Sequence, residues 1–278
     1  MAEKLKWGTN HPGHLVYLLD LSESMAHKGR IDNLLDAVKT TADLLIAKSE
    51  RDGKVQNRFS VTIIGYNSDV NQLFKGSIVD LDNRMNEIYE QGGEDAPLFD
   101  KTKEAKPKWQ TYTAKAFRTV KRDIDEWMAE QRSKGMDMPV PIIIHITDGF
   151  PYESERSEKE AREDALRAAE EIKQITMPDG NPILFNIHFD DSSAQENVFP
   201  SQPPTSGGQK FLFEASSTMS DENVATGKEA FNLPTEKGCR WMASNVKDSA
   251  KLVQLITFGS SIAVDTNGIK EQAKPSVD

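Results

Sequence analysis

The chain has 278 residues, of which 37% are hydrophobic and 28% are charged, and its formal net charge is −10. This composition is typical of a globular protein with a sizeable core, and the acidic balance argues against a nucleic-acid-binding surface. The single cysteine, Cys239, excludes an internal disulfide and a cysteine metal cluster, so we expect a reducing, cytoplasmic environment. No stretch approaches the roughly 20 apolar residues of a membrane span, and we expect no membrane association.

Apolar strands alternate with amphipathic helices along most of the chain. The pattern predicts core strands at 14–20, 59–66, 142–146 and 183–189, an antiparallel edge strand at 70–78 and a last strand at 239–245. It predicts helices at 30–48, 111–134, 157–175 and 248–258, with a short helix near 84–89. This alternation implies a three-layer, doubly wound, Rossmann-like α/β fold, whose mostly parallel sheet has one antiparallel edge strand and helices on both faces.

The same reading predicts a single domain over residues 14–262. A polar lead-in at 1–13 precedes it, and a tail at 263–278 follows it. Residues 190–237 form a longer loop or insert than a minimal domain of this kind needs, with a segment at 210–219 that is either helical or irregular.

The end of the first strand carries the most informative polar residues. Asp20, Ser22 and Ser24 occupy alternate positions directly after an apolar run. Ligands of doubly wound proteins bind beyond the carboxyl ends of the strands, and hard oxygen ligands suit a small divalent cation such as Mg²⁺. Asp and Ser also form turns, so this stretch alone leaves metal binding and turn formation open. Two other polar clusters, at 111–113 and 147–149, fall at or near the same edge.

Together the three clusters resemble the motifs of von Willebrand factor A domains, in order and in approximate spacing. The sequence Asp-Leu-Ser-Glu-Ser at 20–24 matches the family's Asp-x-Ser-x-Ser motif. Residues 111–117 resemble its threonine loop, and Thr-Asp-Gly at 147–149 resembles its Asp-Gly motif. The resemblance covers about residues 12–262. Within the family the chain is similar to the bacterial stand-alone intracellular type, and its 212–217 segment resembles the corresponding segment of those proteins.

In that family the three motifs build a metal-ion-dependent adhesion site (MIDAS). The resemblance implies that Ser22, Ser24 and Thr111 offer hydroxyl ligands, and that Asp20 and Asp148 bind the metal directly or through water. The implied metal is Mg²⁺, with Mn²⁺ or Ca²⁺ as alternatives. An Asp or Glu of a partner protein completes the coordination. The resemblance thus implies a non-enzymatic adaptor of a multi-protein bacterial system, whose partners include AAA+ ATPases, kinases or phosphatases.

Two positions depart from the family pattern. Glu23 stands where a small residue is common, and Trp109-Gln110 replace the glycines that usually precede the threonine. The second departure leaves a choice between Thr111 and Thr113, and we prefer Thr111 because it aligns with the first threonine of the usual motif. Trp109 and Tyr112 flank the predicted site and are candidate anchors for a partner.

Two other functions compete with the adhesion module. A metal-dependent phosphohydrolase would use the cation to activate water. A haloacid-dehalogenase-type pattern would need an aspartate where Ser22 stands, and the sequence shows no nucleophile–base pair. The other alternative is a degenerate A domain that binds partners without metal. His145 and His188 lie within apolar strands, and we expect them to be core residues rather than ligands.

Overall fold

The structure of the protein is a computed structural model that describes residues 6–190 and 194–262. Its strands are β1 (Gly13–Asp20), β2 (Glu50–Arg51), β3 (Lys54–Val55), β4 (Phe59–Tyr66), β5 (Val70–Ser77), β6 (Ile142–Thr147), β7 (Ile183–Phe189), β8 (Asn197–Val198) and β9 (Met242–Val246). Its α-helices are α1 (Arg30–Ser49), α2 (Ile78–Gly92), α3 (Thr113–Ser133), α4 (Glu158–Lys173), α5 (Gly207–Ala215), α6 (Asp221–Phe231) and α7 (Ser249–Ser261). A short 3₁₀ helix, Glu23–Gly29, follows β1.

Seven strands form one sheet in the order β5-β4-β1-β6-β7-β9-β8. The five central strands run parallel, and β5 pairs antiparallel with β4 at one edge. The predicted doubly wound fold is therefore confirmed. The structure adds one feature to the prediction, since the two-residue strand β8 pairs antiparallel with β9 at the other edge.

Helices cover both faces of this sheet, and β1 lies inside it between β4 and β6. Leu15, Tyr17 and Leu19 of β1 belong to the core cluster that includes residues of α1, α2 and α7. The alternate residues Val16 and Leu18 belong to the cluster that includes residues of α3, α4 and α5. Because successive strand residues point to opposite faces, a strand covered on both sides is apolar throughout, as the sequence of β1 is.

Two helices begin with side-chain caps that the sequence carries. The Ser77 hydroxyl and the Asp80 carboxylate form a capping box, so α2 starts at Ile78 and is longer than the short helix predicted near 84–89. The Asp248 carboxylate accepts a hydrogen bond from the backbone N–H of Lys251, so Asp248 caps the last helix.

The predicted insert and lead-in are more ordered than the sequence indicated. The described part of 190–237 contains β8, α5 and α6. Phe211 and Leu212 of α5 are buried on the α3 side of the sheet. Val224 and Phe231 of α6 pack against the core on the α7 side. In the lead-in, Trp7 is fully buried against Phe59. The predicted tail at 263–278 lies outside the described residues.

Within residues 6–190 and 194–262, no helix is both long enough and apolar enough to cross a membrane.

Candidate metal centre

The predicted site lies where two neighbouring parallel strands end. Asp20 is the last residue of β1, and Thr147 is the last residue of β6. The register pairs Leu19 with Ile146, so Asp20 and Thr147 lie side by side at the carboxyl edge of the sheet. Asp148 is the next residue along the chain. The sheet therefore brings together the motifs of Asp20 and Asp148, which lie far apart in the sequence.

Asp20 is fully buried and fixes the turn that follows β1. One carboxylate oxygen, Oδ1, accepts a hydrogen bond from the backbone N–H of Ser22 at 2.8 Å. The other, Oδ2, accepts one from the Thr147 hydroxyl at 2.6 Å. Burial raises the pKa of Asp20 to about 7, and the nearby charge of Asp148 adds to the effect. A positive charge at this edge would stabilise the ionised carboxylate.

A chain of hydroxyl and carboxylate oxygens continues from this turn. The hydroxyl oxygens of Ser22 and Ser24 lie 3.0 Å apart, and the Ser24 hydroxyl donates to Oδ1 of Asp148 at 2.8 Å. Two adjacent ligands of an octahedral Mg²⁺ at about 2.1 Å are about 3.0 Å from each other. The donor set and the spacings of these three oxygens therefore fit a small divalent cation, and Ser22, Ser24 and Asp148 are the residues that would hold it.

Arg30, the first residue of α1, also reaches this site. Its guanidinium donates to Oδ2 of Asp148 at 2.7 Å and to Oδ1 of Asp190 at 2.8 Å. The Asp148 side chain is only 1% exposed, and an unpaired carboxylate would be costly there. The sequence predicted Arg30 only as the start of a helix. Its ion pair with Asp148 forms only because the fold brings together two residues that are 118 positions apart in the sequence.

The threonine loop joins the site through its backbone. Lys108 donates its backbone N–H to the Leu21 carbonyl at 3.1 Å, and the backbone of Thr111 forms an antiparallel bridge with Tyr152. The side chain of Thr111 is nearly buried. Within the described part of the chain, no hydrogen bond joins the Thr111 hydroxyl to Asp20, Ser22, Ser24 or Asp148, so its role as a ligand stays a prediction.

Gln110 adopts a backbone conformation that favours glycine. Its φ is +76°, in the left-handed region, at the position where the family pattern has a glycine. The Gln110 side chain accepts a hydrogen bond from the backbone N–H of Ser154 at 3.0 Å, which ties the threonine loop to the segment after Asp148. The loop thus keeps a glycine-like turn although the glycine is absent.

Exposed aromatic side chains lie close in the chain to the predicted site residues. Trp109 is 66% exposed, Tyr152 is 46% exposed and Phe150 is 37% exposed. Trp109 precedes Thr111 by two residues, and Phe150 follows Asp148 by two residues. Tyr112, the other flanking aromatic, instead donates its hydroxyl to Glu155 at 3.2 Å. We call Trp109, Phe150 and Tyr152 the aromatic rim.

Among the described residues, no group of three or more His, Cys, Asp or Glu side chains is arranged to hold a metal ion. The predicted MIDAS differs from such a cluster because three of its five donors are the hydroxyls of Ser22, Ser24 and Thr111. Glu23, which separates the two serines, is exposed and begins the 3₁₀ helix. His145 is fully buried in the sheet, as expected for a core histidine, whereas His188 is only partly buried.

No protein-family model matches the chain, and no curated protein matches it in sequence. Solved structures do resemble it. A crystal structure of the pilus adhesin SpaC from Lactobacillus rhamnosus GG matches 93% of this chain with a TM-score of 0.53 at 12% identity. Manganese-loaded TRAP from Plasmodium vivax matches 67% of it with a TM-score of 0.42 at 18% identity. The ArnB paralog VWA2 from Sulfolobus acidocaldarius matches 64% with a TM-score of 0.35 at 18% identity.

The chain spans only part of each of these proteins: 31% of SpaC, 59% of TRAP and 35% of VWA2. At 12% identity the SpaC likeness shows the fold alone. The strand order and that likeness together show a doubly wound α/β fold for residues 6–190 and 194–262, as the alternation of strands and helices predicts.

Proposed function

We propose that the protein is a Mg²⁺-dependent protein-interaction module of the von Willebrand factor A type. The observation that carries the proposal is the chain of oxygens Ser22–Ser24–Asp148, with contacts of 3.0 and 2.8 Å. It lies beside the fixed carboxylate of Asp20 at the carboxyl edge of the sheet. A cation held there would leave a coordination position for an Asp or Glu of a partner.

The residues of this chain have separate tasks in that mechanism. Asp20 holds the turn after β1 through its two hydrogen bonds, so the serine hydroxyls are positioned before any ligand arrives. The hydroxyls are neutral, so the site does not fully compensate a divalent charge and attracts a further carboxylate. The aromatic rim supplies apolar contact area next to the charge, and exposed aromatic side chains are frequent anchors in protein interfaces. This combination favours a protein partner over a small ligand.

A pull-down from a bacterial lysate tests the proposal. Immobilised protein should retain a partner in Mg²⁺ and lose it in EDTA, and Asp20→Ala should abolish the capture. Asp125→Ala is the matched control, because Asp125 is an exposed aspartate that pairs with Lys121 on α3, away from the site. Capture that persists in EDTA contradicts the metal-dependent mechanism. We further propose a cytoplasmic adaptor role without catalysis, in which the partner is an AAA+ ATPase, a kinase or a phosphatase.

The ion pair between Arg30 and Asp148 favours one alternative, a scaffold that binds its partners without metal. In that case the guanidinium, rather than a divalent cation, neutralises Asp148. Calorimetric titration with Mg²⁺ and Mn²⁺ distinguishes the two functions. Binding heat that is lost in Ser22→Ala supports the MIDAS, and absence of heat in the wild type supports the scaffold.

Turnover of generic phosphoesters by the purified protein in Mg²⁺ would favour the remaining alternative, a phosphohydrolase. Loss of that turnover in Asp148→Ala would place the reaction at this site. We expect no turnover, since no general base lies in the sequence motif beside Asp20.

A further inference from the structure

A continuous series of buried hydrogen bonds crosses the α3 side of the sheet, from β4 through β6 and β7 to the end of α5. The Tyr66 hydroxyl on β4 lies 2.7 Å from Nε2 of His145 on β6. Nδ1 of His145 lies 2.7 Å from Oδ1 of Asn186 on β7. Nδ2 of Asn186 donates to the Ser216 hydroxyl, just after α5, at 2.8 Å. All four side chains are fully buried. We call this series the Tyr66–Ser216 chain.

The donor and the acceptor of each hydrogen bond in this chain can be assigned. The Ser216 hydroxyl donates to the Leu212 carbonyl at 2.7 Å, so its oxygen accepts from Asn186 Nδ2. The oxygen of the Asn186 amide therefore faces His145, and Nδ1 of His145 carries the hydrogen. Burial lowers the pKa of His145 to about 4, so the ring is neutral near pH 7 and Nε2 is an acceptor. It follows that the Tyr66 hydroxyl donates to His145.

With its hydrogen donated to His145, the Tyr66 oxygen meets its other neighbours only as an acceptor. The strand register pairs Tyr66 with Asp20, and the hydroxyls of Thr113 and Thr147 lie next to the Tyr66 oxygen. Thr147 donates to Asp20 at 2.6 Å and Thr113 donates to the backbone carbonyl of Thr111 at 3.4 Å, so Thr113 connects Tyr66 to the threonine loop. Burial raises the pKa of Tyr66 well above its usual range, and the charge of Asp20 adds to the effect, so the phenol stays protonated. Thr113 is 2% exposed and begins α3, two residues after Thr111.

We propose that Tyr66 and His145 are positioning residues of the candidate metal centre, which hold Thr113 and with it the threonine loop at the distance that metal binding requires. The inference rests on the proposed function. Removing the Tyr66 hydroxyl leaves Nε2 of His145 without its donor in a dry interior and removes the oxygen next to Thr113, so we expect the start of α3 to shift. Groups that orient metal ligands from behind change metal affinity about 10- to 100-fold when they are removed.

The chain offers a matched control for this test. Tyr17 on β1 is also fully buried, and its hydroxyl lies 2.9 Å from the hydroxyl of Ser260 on α7, on the opposite face of the sheet. Tyr66→Phe and Tyr17→Phe each remove one buried tyrosine hydroxyl. A loss of stability common to both variants therefore cancels in the comparison, and the difference between them reports on the position of the hydroxyl.

Calorimetric titration with Mn²⁺ alone decides between the outcomes. We expect Tyr66→Phe to weaken Mn²⁺ binding about 10- to 100-fold and Tyr17→Phe to leave it within about twofold of wild type. Equal affinities in all three proteins, or an equal loss in both variants, overturn the inference while the proposed function stands. Absence of Mn²⁺ binding by the wild type overturns the proposed function, and the inference falls with it.

A second measurement needs no variant. Nitrogen-15 spectra of the wild-type histidine rings should show a hydrogen on Nδ1 of His145, and the Nε2 signal should shift on titration with Mg²⁺. His14 is the internal control, because its ring bonds Ser60 and Asp123 in a separate buried network. A Mg²⁺-induced shift of both histidines, or of neither in a protein that binds Mn²⁺, contradicts the positioning role of His145.

Discussion

The guanidinium of Arg30 lies 2.7 Å from the carboxylate of Asp148, the residue that the sequence assigns to the metal. The positively charged guanidinium therefore already pairs with one carboxylate oxygen of Asp148, while the other oxygen accepts a hydrogen bond from the Ser24 hydroxyl. Arg30 is mostly buried, with a side chain that is 16% exposed, so its charge is only partly screened by water. A divalent cation bound by the serine hydroxyls would lie close to this positive charge and be repelled by it.

Replacing Arg30 by glutamine should therefore strengthen divalent metal binding. The repulsion removed is about 1–2 kcal/mol after partial screening, which corresponds to roughly a tenfold increase in affinity. Mn²⁺ titration by calorimetry measures the change. Arg118→Gln is the control, because Arg118 also pairs with a carboxylate, Asp164, but on α4. A decrease in affinity in Arg30→Gln would mean that Arg30 supports the site rather than competing with the metal.

Ser24→Ala tests the oxygen chain directly. The Ser24 hydroxyl makes both contacts of the chain, to Ser22 and to Asp148, and the residue is exposed. We expect at least roughly a tenfold loss of Mn²⁺ affinity with little change in the free energy of unfolding, because the substitution removes a ligand and opens no cavity in the core. Ser154→Ala, an exposed serine of the neighbouring loop, should bind as wild type does. Equal binding by both variants would remove Ser24 from the site.

Trp109→Ala tests the aromatic rim. Because Trp109 is 66% exposed, its removal should leave the thermal midpoint unchanged. A central aromatic anchor contributes about 2 kcal/mol or more to an interface, so affinity for the captured partner should fall at least roughly 30-fold. Leu44→Ala, which truncates a 39% exposed side chain on α1, is the matched control for lost apolar surface. Unchanged partner affinity in Trp109→Ala would show that the rim is not the contact surface.

The sequence predicted the sheet well because its signals are local. The apolar run before Asp20 and the β-branched run before Tyr66 each indicate a buried strand, whatever the rest of the chain does. The strand β8 was missed because two residues carry no periodicity, and their pairing with β9 is imposed by the fold. The helix α6 was missed for another reason. Its buried residues are Asn223 and Gly227, which are not apolar, and Val224 and Phe231 are only partly buried, so no apolar stripe marks the helix.

The candidate site was predictable where a motif names it and unpredictable where the fold assembles it. Asp20, Ser22, Ser24 and Asp148 meet as the motifs imply. Arg30 could not be assigned, because an arginine at a helix start is ordinary in any sequence and only the three-dimensional structure places it on Asp148. Tyr66 and His145 were hidden for a related reason. A tyrosine and a histidine within apolar strands are typical core residues, and their hydrogen bond crosses from β4 to β6 over the intervening strand β1.

The buried ring of His145 gives the last prediction, which concerns stability in acid. Burial lowers its pKa from 6.5 to about 4 in the folded protein, so the folded state disfavours the charged ring. The stabilisation that the neutral ring contributes is present above pH 6.5 and is lost as the pH falls from 6.5 to 4, because the unfolded chain binds the proton first. The difference corresponds to about 3 kcal/mol.

His145→Gln removes this titration and keeps both hydrogen bonds, since a glutamine amide can donate to Asn186 and accept from Tyr66. Urea unfolding at pH 7, 5.5 and 4.5 should therefore give a flatter dependence of the free energy of unfolding on pH in the variant than in the wild type. Every other titrating group, including His188, whose pKa burial also lowers, contributes equally to both proteins. Parallel curves between pH 7 and 4.5 would mean that His145 is charged or solvated in the folded state, which would also break the hydrogen-bond directions of the Tyr66–Ser216 chain.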